Sequence, residues 1–391
     1  MCGKGKSGQV NLCRREFLYG LAALAEARPA VVQTPVKNVA FNYAAISKVA
    51  DLQYFAKFDL VVTGAILAAD QLRPLRAGKA RLVVYQWSSA HYPREGSTAE
   101  RAWEQRLRGH GREWLLSPEP TGGGAAAPGK GALWYDFGDA DMRVALAEHI
   151  RSLIEENAYR GVFLDTLGLY SVPQPLQGEF QKRHAGLDYN RCQGEFIAKL
   201  RDVLGPEAII FTNQGYRKPE CFLPEADLDL IENSATLLGN ASETQFRPWF
   251  QKGDEWESIE VPMDRLVVPA GRRYPRTRFV HINYVQGDES TCERAVRFGF
   301  ACAKLWDHLS FVAPPGVQSA LPSDVYFRDL GDPLSPSYEE DRSAGVAWRR
   351  YQNGVVALNA SRDTYRIKEL DLVLPRASDG YITPGSHKAY L

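Results

Sequence analysis

The 391-residue chain is predicted to be an α/β protein, a (β/α)8 barrel followed by a small antiparallel β domain. Eight short runs rich in Val, Ile, Phe and Tyr are separated along the chain, and helical periodicity lies between several of them. A doubly wound open sheet usually has a Gly-rich phosphate loop after its first strand, whereas here that strand runs into Asn42-Tyr43. The predicted strands are 39–46, 60–64, 81–87, 161–166, 208–214, 228–234, 278–285 and 309–313.

Three of the intervening segments have the clearest helical pattern. Apolar residues recur at a spacing close to 3.6 in 142–159, 193–204 and 291–305. The connection between the third and fourth strands, 91–131, is long and rich in glycine near its end. Such a loop over a barrel mouth is either a binding lid or a segment without order, and the sequence favours neither.

The barrel is predicted to span residues 37–335, because the composition then changes to Pro, Ser and acidic residues over 332–342. A β pattern follows in 345–352 and 355–359, joined by Asn353-Gly354, a pair that favours a hairpin turn. A further strand is predicted at 367–374. Residues 340–391 are therefore interpreted as the small β-sandwich-like domain.

Charge and cysteine content narrow the function classes. Lys plus Arg and Asp plus Glu number 47 each, so nothing in the composition attracts nucleic acid or an anionic membrane surface. The spacing of Cys192, Cys221, Cys292 and Cys302 fits no zinc motif. Free thiols are expected, with one disulfide among the four left open. Cys292 and Cys302 cannot pair, since they are about 15 Å apart along one predicted helix.

The N-terminal segment has the features of an export signal. Basic residues that include Arg14-Arg15 precede the short apolar run 17–25, and Ala25-Glu26-Ala27 fits a small-x-small cleavage site. We interpret residues 1–27 as a twin-arginine-type signal peptide and expect a periplasmic or extracellular protein. The alternative is an amphipathic helix that stays attached. No other segment is long and apolar enough to span a membrane.

Two acidic residues at strand ends are the candidate catalytic groups. Asp165 ends the apolar run of the fourth strand, and Glu232 ends that of the sixth. In a barrel of this kind, side chains at the carboxyl ends of the strands line one mouth. A carboxylate buried without a partner is costly, so an acid at such a position usually has a function. The competing interpretation is a helix cap for Asp165 and an acid bonded to loop amides for Glu232. Two carboxylates across a mouth are what glycosidic cleavage requires.

Polar and aromatic residues at other strand ends could bind sugar. Amides, aromatic platforms and one further acid make up this set, and for several of them a structural role in a turn or loop is equally favoured. The candidate substrate-binding residues are Tyr43, Gln86, Trp87, Asp136, Tyr170, Asn213, Gln214, Asn233 and Tyr284. His281, in the seventh strand, is interpreted as a bonded structural residue. No Walker loop, His-Glu-x-x-His or Gly-x-Ser-x-Gly motif is present.

The ordered set of motifs resembles a known family. It comprises Tyr85-Gln86-Trp87, Trp134-Tyr-Asp136, Tyr159-Arg-Gly-Val-Phe-Leu-Asp165, Phe211-Thr-Asn-Gln-Gly215 and Ile231-Glu232. The set is similar to the barrel of the glycoside hydrolases related to endo-α-1,4-polygalactosaminidases and of hypothetical bacterial glycosyl hydrolases. The segment 348–359 is similar to the β domain that follows many such barrels. In this chain the acidic cluster that often follows the fourth-strand Asp is replaced by Thr166-Leu-Gly-Leu169.

The resemblance implies a retaining glycoside hydrolase of a polysaccharide, with Asp165 as nucleophile and Glu232 as acid/base. We expect a carbohydrate substrate, no cofactor, no metal, no nucleic acid and a monomeric chain. A catalytically inactive carbohydrate-binding barrel is the first alternative. A metal-dependent deacetylase or lyase is the second, and it would need a His/Asp cluster at the rim.

Overall fold

The computed structural model describes residues 35–384 except 44–45, 47, 65–66, 68, 93–96, 118, 121–130, 215–220, 239–243, 251–257, 315–320, 361–362 and 376–377. The predicted signal peptide, residues 1–27, lies outside the described residues. So does part of the long connection between the third and fourth predicted strands.

The strands are numbered in chain order. They are β1 Val39–Asn42, β2 Leu60–Thr63, β3 Arg81–Trp87, β4 Ala90–His91, β5 Leu133–Trp134, β6 Gly161–Asp165, β7 Ile209–Asn213, β8 Leu228–Glu232, β9 Thr236–Leu238, β10 Thr244–Phe246, β11 Arg278–Tyr284, β12 Leu309–Ala313, β13 Glu339–Asp341, β14 Val346–Tyr351, β15 Gly354–Asn359, β16 Tyr365–Ile367, β17 Leu372–Leu374 and β18 Ser378–Pro384. The eight predicted barrel strands are all confirmed, with ends shifted by at most a few residues.

The helices follow the predicted order, and the three predicted from periodicity are confirmed. They are α1 Val49–Phe55, α2 Ala69–Ala77, α3 Thr98–His110, α4 Ala140–Asn157, α5 Gln174–Arg183, α6 Tyr189–Leu204, α7 Glu260–Pro262, α8 Val268–Arg273 and α9 Glu289–Leu305. A π-helical turn, Met263–Val267, joins α7 to α8. Short 3-10 turns lie at Gly111–Glu113, Leu169–Ser171, Asp324–Phe327 and Lys368–Leu370.

Each of the three long helices begins at an aspartate. The side chains of Asp139, Asp188 and Asp288 each accept a 2.7 Å hydrogen bond from a backbone N–H in the first turn of α4, α6 and α9. An aspartate at this position satisfies a donor that the helix itself leaves unpaired. These caps fix where the crossover helices start after the loops at the carboxyl ends of the barrel strands.

The eight barrel strands that the structure describes are all parallel and pair in the order β1-β2-β3-β6-β7-β8-β11-β12. The first and last strands are neighbours, and the rings of Phe41 and Phe311 lie 5.9 Å apart across them. No backbone ladder joins β1 to β12 in the described residues, so the barrel is nearly closed. The connection from β7 to β8 has no helix in its described part, residues 221–227.

Phenylalanines from four strands fill the middle of the barrel. Phe41 contacts Phe163 and Phe211 with ring centroids 5.9 and 5.7 Å apart, and Phe163 lies 4.8 Å from Phe211. Phe311 completes this layer. The barrel interior is therefore a packed core, as in other (β/α)8 barrels, and the side chains two residues further along each strand, on the same face, must line its mouth.

The long connection between β3 and β6 carries ordered structure in its described part. It includes α3 and the antiparallel bridge of β4 with β5. The guanidinium of Arg183, on α5, donates to the carbonyls of Arg112, Leu115 and Leu116 in this connection. Part of this connection is thus bonded to α5, and of the two alternatives left open by the sequence, a segment without order does not describe residues 97–117.

The C-terminal strands form a four-stranded antiparallel sheet in the order β13-β14-β15-β18. One face of β14 and β15 packs in the barrel core, and α9 contacts this sheet. The other face packs against the small hairpin of β16 and β17. The predicted hairpin is confirmed, but its loop is Gln352-Asn353, one residue earlier than predicted, because Tyr351 pairs with Gly354. The single strand predicted at 367–374 is wrong, since a 3-10 turn separates β16 from β17.

Cys192, Cys221, Cys292 and Cys302 are all free thiols, as the first interpretation of the sequence had it. Among the helices that the structure describes, none is both long and apolar enough to cross a bilayer.

Candidate active site

Asp165 is the last residue of β6 and is only partly exposed at the barrel mouth. Three donors point at its carboxylate. The Tyr85 hydroxyl lies 2.5 Å from Oδ2, while Asn213 Nδ2 and the Thr166 backbone N–H lie 2.7 and 2.9 Å from Oδ1. Hydrogen bonds from uncharged donors favour the ionised form of a carboxylic acid. These three donors therefore favour the carboxylate anion of Asp165.

Glu232 ends β8 on the same rim. Its Oε1 lies 3.3 Å from Asn213 Nδ2, the same nitrogen that bonds to Asp165, and its side chain is also hydrogen-bonded to Tyr284. Because one nitrogen contacts both carboxylates, at 2.7 and 3.3 Å, their nearest oxygens are at most about 6 Å apart. The structure thus brings together the two acids that the sequence singles out.

The alternation of side chains along each strand explains why these residues meet. In a strand, residues two apart point to the same face. Asp165 follows Phe163 by two residues, and Asn213 follows Phe211 in the same way. Tyr43 stands in the same relation to Phe41. The phenylalanine layer inside the barrel therefore fixes a polar layer directly above it.

The two acids differ in their electrostatics. Burial, and then the negative charge of Asp165, raise the pKa of Glu232 to about 7, against the opposing effect of its hydrogen bonds to Asn213 and Tyr284. Burial also raises the pKa of Asp165, but the hydrogen bonds from Tyr85, Asn213 and Thr166 oppose it. Hydrogen bonds from three donors favour the anion of Asp165, whereas a pKa of about 7 leaves Glu232 substantially protonated near neutral pH.

Three tyrosines surround the pair. The rings of Tyr43 and Tyr85 lie 5.1 Å apart, and Tyr43 packs over Phe163 below them. Burial and the nearby negative charges raise the pKa of Tyr43 and of Tyr284 well above the usual value for tyrosine. The raised pKa values keep the hydroxyls of Tyr43 and Tyr284 protonated, so both can donate hydrogen bonds.

The residue after each acid adopts a left-handed backbone conformation. Thr166 has φ of 59° and Asn233 has φ of 54°. This region is uncommon for residues other than glycine, and it is strained for a β-branched residue such as Thr. Surrounding contacts hold the first of these turns. Ser89 Oγ and Ser171 Oγ donate to the Thr166 carbonyl at 2.7 and 2.8 Å.

A buried glutamine on α6 fixes the loop that follows Asp165. Gln193 accepts a 2.7 Å hydrogen bond from the Gly168 backbone N–H and donates to Ser89 Oγ at 3.1 Å. The neighbouring Asn190 accepts from the Leu169 N–H. Rigid backbone on both sides of the acid preorganises its carboxylate.

Several of the predicted substrate-binding residues border the pair. Tyr43, Asn213 and Tyr284 belong to the polar layer itself. Trp87 ends β3 two residues beyond Tyr85 and packs edge-on against Tyr92 at 4.3 Å. Tyr170, in the loop after Asp165, is 46% exposed and offers an accessible aromatic face.

Other predicted residues are placed differently. Gln86 alternates with Tyr85 and so points to the opposite face of β3. Gln214 is fully buried, and its amide donates to Asp229 Oδ1 at 3.1 Å. Asn233 stands next to Glu232, with an Oδ1 that has no hydrogen-bond partner among the described residues.

Asp136 is bonded away from solvent. It is 2% exposed, and its carboxylate lies 2.8 Å from His184 Nε2 and 3.3 Å from Arg183 Nη1. It also accepts from the Gly138 backbone N–H. These contacts fit a role in anchoring the loop rather than direct contact with substrate.

Tyr85 contacts Asp165 directly, although it is not among the residues that the sequence predicted for the site. The alternation of β3 could have identified it, because it stands two residues before Trp87 on the inward face. His281 is fully buried and bonded to Ser234 Oγ at 2.6 Å and to His308 at 3.0 Å, as expected for a structural histidine. In the described part of the chain, no group of three His, Cys, Asp or Glu side chains is arranged to hold a metal ion.

Comparison with known proteins gave matches only among solved structures. No protein-family model matches the sequence, and the search of curated proteins found no relative. The chain is similar to the glycoside hydrolase domain of PelA from Pseudomonas aeruginosa, at 20% identity and a TM-score of 0.49, over 73% of this chain and 97% of that one.

Two α-amylases have comparable values. The maltogenic α-amylase AmyB from Thermotoga neapolitana is 10% identical, with a TM-score of 0.49 over 90% of this chain and 97% of that chain. The α-amylase from Geobacillus thermoleovorans complexed with acarbose is 8% identical, with a TM-score of 0.45 over 89% of this chain and 96% of that chain.

Proposed function

We propose that this chain is a glycoside hydrolase that cleaves a polysaccharide with the carboxyl groups of Asp165 and Glu232. The observation that carries the proposal is the shared contact of both carboxylates with Asn213 Nδ2. It keeps the nearest oxygens of two acids with different hydrogen-bond partners within about 6 Å of each other at the carboxyl end of a (β/α)8 barrel. Glycosidic cleavage needs this pairing of a carboxylate with a carboxylic acid.

Asp165 is assigned as the nucleophile and Glu232 as the acid/base. Asp165 receives three hydrogen bonds that stabilise its anion, whereas Glu232 retains its proton up to about pH 7. A carboxyl separation of about 5.5 Å is typical of retaining enzymes, and a separation above about 6.5 Å leaves room for water in inverting ones. The limit set by Asn213 favours retention.

The reaction has two steps. In the first, an Asp165 oxygen bonds to the anomeric carbon, the glycosidic C–O bond breaks, and the proton of Glu232 passes to the leaving oxygen. In the second, Glu232 takes a proton from water, the water oxygen bonds to the anomeric carbon, and the ester bond to Asp165 breaks. The electron pair of the broken ester bond returns to the Asp165 oxygen, and the hydrogen bonds from Tyr85 and Asn213 stabilise the carboxylate that forms.

The substrate is proposed to be a sugar polymer that meets aromatic rings at the rim. Trp87 and Tyr170 flank the acids and provide apolar faces for sugar rings. A cationic amino-sugar polymer would be favoured by more acidic residues near the cleft than Thr166-Leu-Gly-Leu169 provides, so the proposal extends to polysaccharides in general. The predicted twin-arginine signal agrees with a polysaccharide outside the cytoplasm, so export and an extracytoplasmic substrate are proposed together.

The test uses glycosyl fluorides of common hexoses and amino sugars, since they react without help from an acid catalyst at the leaving group. We expect Asp165→Asn to lower kcat by at least about 10³-fold on every reactive fluoride. Glu232→Gln should lower turnover of polymer by about 10²-fold or more while fluoride turnover falls much less. Glu369→Gln, an exposed acid remote from the barrel mouth, serves as the control.

Proton NMR of the first-formed sugar identifies the stereochemistry, and retention is expected. Inversion would contradict the assignment of Asp165 as nucleophile. If the chain binds glycan but turns over no fluoride, the catalytically inactive binding barrel is the correct interpretation.

A further inference from the structure

A second cavity lies at the opposite end of the barrel strands from the two acids. It measures about 410 Å³ and is bordered by the start of β11, the residues just before β12, the α8 region and the C-terminal sheet. Arg278 begins β11 and Tyr284 ends it, so the cavity is roughly 20 Å from the acid pair at about 3.3 Å per residue. The proposed hydrolytic reaction makes no use of it.

Arg349, on β14, is the most unusual group in this cavity. It is 4% exposed, and it donates to the carbonyls of Leu305 and Ser335 at 2.9 Å each. Its Nε has no hydrogen-bond partner among the described residues. Arg349 forms no ion pair with any residue that the structure describes, although a buried charge without a counter-ion is costly.

Further cations stand close by. Arg278 donates to the Val36 carbonyl, and it too forms no ion pair within the described residues. Lys304 is partly buried next to Asp307, and desolvation together with the charges of Arg278 and Arg349 lowers its pKa to about 8 despite the opposing effect of Asp307. Like charges brought this close repel one another, and a negative charge among them relieves the repulsion.

The two acids of the cavity are already bonded to other groups. Asp264 accepts from Trp306 Nε1 at 3.3 Å and from the Tyr338 hydroxyl at 3.4 Å. Asp307 lies 3.7 Å from Lys304 Nζ and accepts from the Tyr351 hydroxyl at 3.4 Å. The cavity therefore has a surplus of positive charge on the side of Arg278 and Arg349.

The other walls are aromatic. Trp306 and Tyr338 meet edge to face with centroids 5.6 Å apart, and Phe279 lines the cavity on the barrel side. The ring of a ligand can pack against these aromatic side chains, while an anionic group attached to that ring reaches the guanidinium groups of Arg278 and Arg349.

We propose that this cavity binds a small organic oxyanion, a carboxylate or phosphate attached to a ring of about monosaccharide size. The anionic group accepts from Arg349 and Arg278, and the ring packs against Trp306 and Tyr338. Because the cavity is remote from Asp165 and Glu232, such a ligand is distinct from the polymer in the cleft. The proposal does not depend on the glycosidase assignment.

Arg349 also satisfies the carbonyl of Leu305 at the end of α9, a favourable position for a cation near a helix terminus. A purely structural role of this kind predicts no affinity for anions. Binding measurements therefore separate the two roles.

The experiment is calorimetric titration of the purified chain with glucuronate, glucose 6-phosphate, inorganic phosphate and neutral glucose. We expect both anionic sugars to bind, inorganic phosphate to bind more weakly because it lacks a ring, and glucose not to bind. Affinity should fall as salt is raised, since the attraction is electrostatic. Asp165→Asn should leave this binding unchanged, because it alters only the cleft.

Exposed Ser337 at the cavity edge allows a matched pair of variants without disturbing the core. Ser337→Glu should weaken anion binding and Ser337→Lys should strengthen it, each by about threefold or more. Asp307→Asn should also strengthen binding, and asparagine tolerates the left-handed conformation that this position has, with φ of 59°. Absence of binding, or affinities that do not respond to the charge at residue 337, would overturn the proposal.

Discussion

The Tyr85 hydroxyl donates a 2.5 Å hydrogen bond to Oδ2 of Asp165, which joins the ends of the neighbouring strands β3 and β6. This bond lowers the pKa of Asp165 against the effect of burial. Tyr85→Phe should therefore raise that pKa, so the acidic limb of the pH profile of kcat/KM moves to higher pH by about one unit. An acidic limb that stays in place in Tyr85→Phe would show that the bond does not control ionisation of Asp165. Tyr54→Phe, at a tyrosine bonded to residues 321 and 323, is the control.

The stability of the protein should depend on the ionisation of Glu232. Its folded pKa of about 7 lies above the usual value of 4.5, so the folded chain holds a proton that the unfolded chain loses. The resulting loss of unfolding free energy is negligible below about pH 4.5 and grows between pH 4.5 and 7. Above pH 7 it is constant at up to about 3 kcal/mol. Glu232→Gln should remove the cost. Urea unfolding at pH 4.5 and 8 should show the variant more stable than the native chain only at pH 8, and Glu369→Gln should show no such difference.

Gly161, the first residue of β6, should tolerate no side chain. A Cβ atom there would lie 2.1 Å from the carbonyl oxygen of Ile209, in the strand that pairs with it. Because Gly161 and Ile209 pair in neighbouring barrel strands, neither backbone can move apart without disturbing the sheet. We therefore expect Gly161→Ala to cost at least about 2 kcal/mol of unfolding free energy. Gly109→Ala, in α3 with open space around it, should instead add about 0.5–1 kcal/mol. Equal effects of the two substitutions in urea unfolding would contradict this account.

Asp136 should contribute to the stability of the fold and not to substrate binding. Its carboxylate is buried and contacts the partly exposed side chains of Arg183 and His184, so Asp136→Asn removes the negative charge that both contact, although Arg183 keeps its pairing with Glu179. We expect a loss of about 1–3 kcal/mol of unfolding free energy and an unchanged KM. Asp141→Asn, on the exposed face of α4, should change neither. A raised KM with unchanged stability would restore Asp136 to the substrate-binding residues.

The barrel and its two acids could be predicted because both depend on local patterns. Apolar runs such as Gly161–Asp165 are long enough for a strand and end at a charged residue. Parallel strands place their carboxyl ends together, so the order of the runs already puts Asp165 and Glu232 on one rim.

Polar residues next to a site residue, or bonded to distant partners, were harder to assign from the sequence. Gln86 and Gln214 have the same chemistry as Asn213, yet alternation turns them to the outer face of their strands. Asp136 could not be assigned because its partners, Arg183 and His184, are about 47 residues further along the chain. The sequence does not show which distant group will form a hydrogen bond with a given polar side chain.

The sequence by itself determined the order of strands and helices, the hairpin near the C-terminus and the identity of the two acids, since periodicity and turn residues are local properties. Only the tertiary structure decided that one amide nitrogen of Asn213 contacts both acids, that Tyr85 bonds Asp165, and that Arg349 is buried without a counter-ion. These relations depend on distances between residues far apart in the chain, which are fixed when the strands close around the phenylalanine layer and the C-terminal sheet packs on α9.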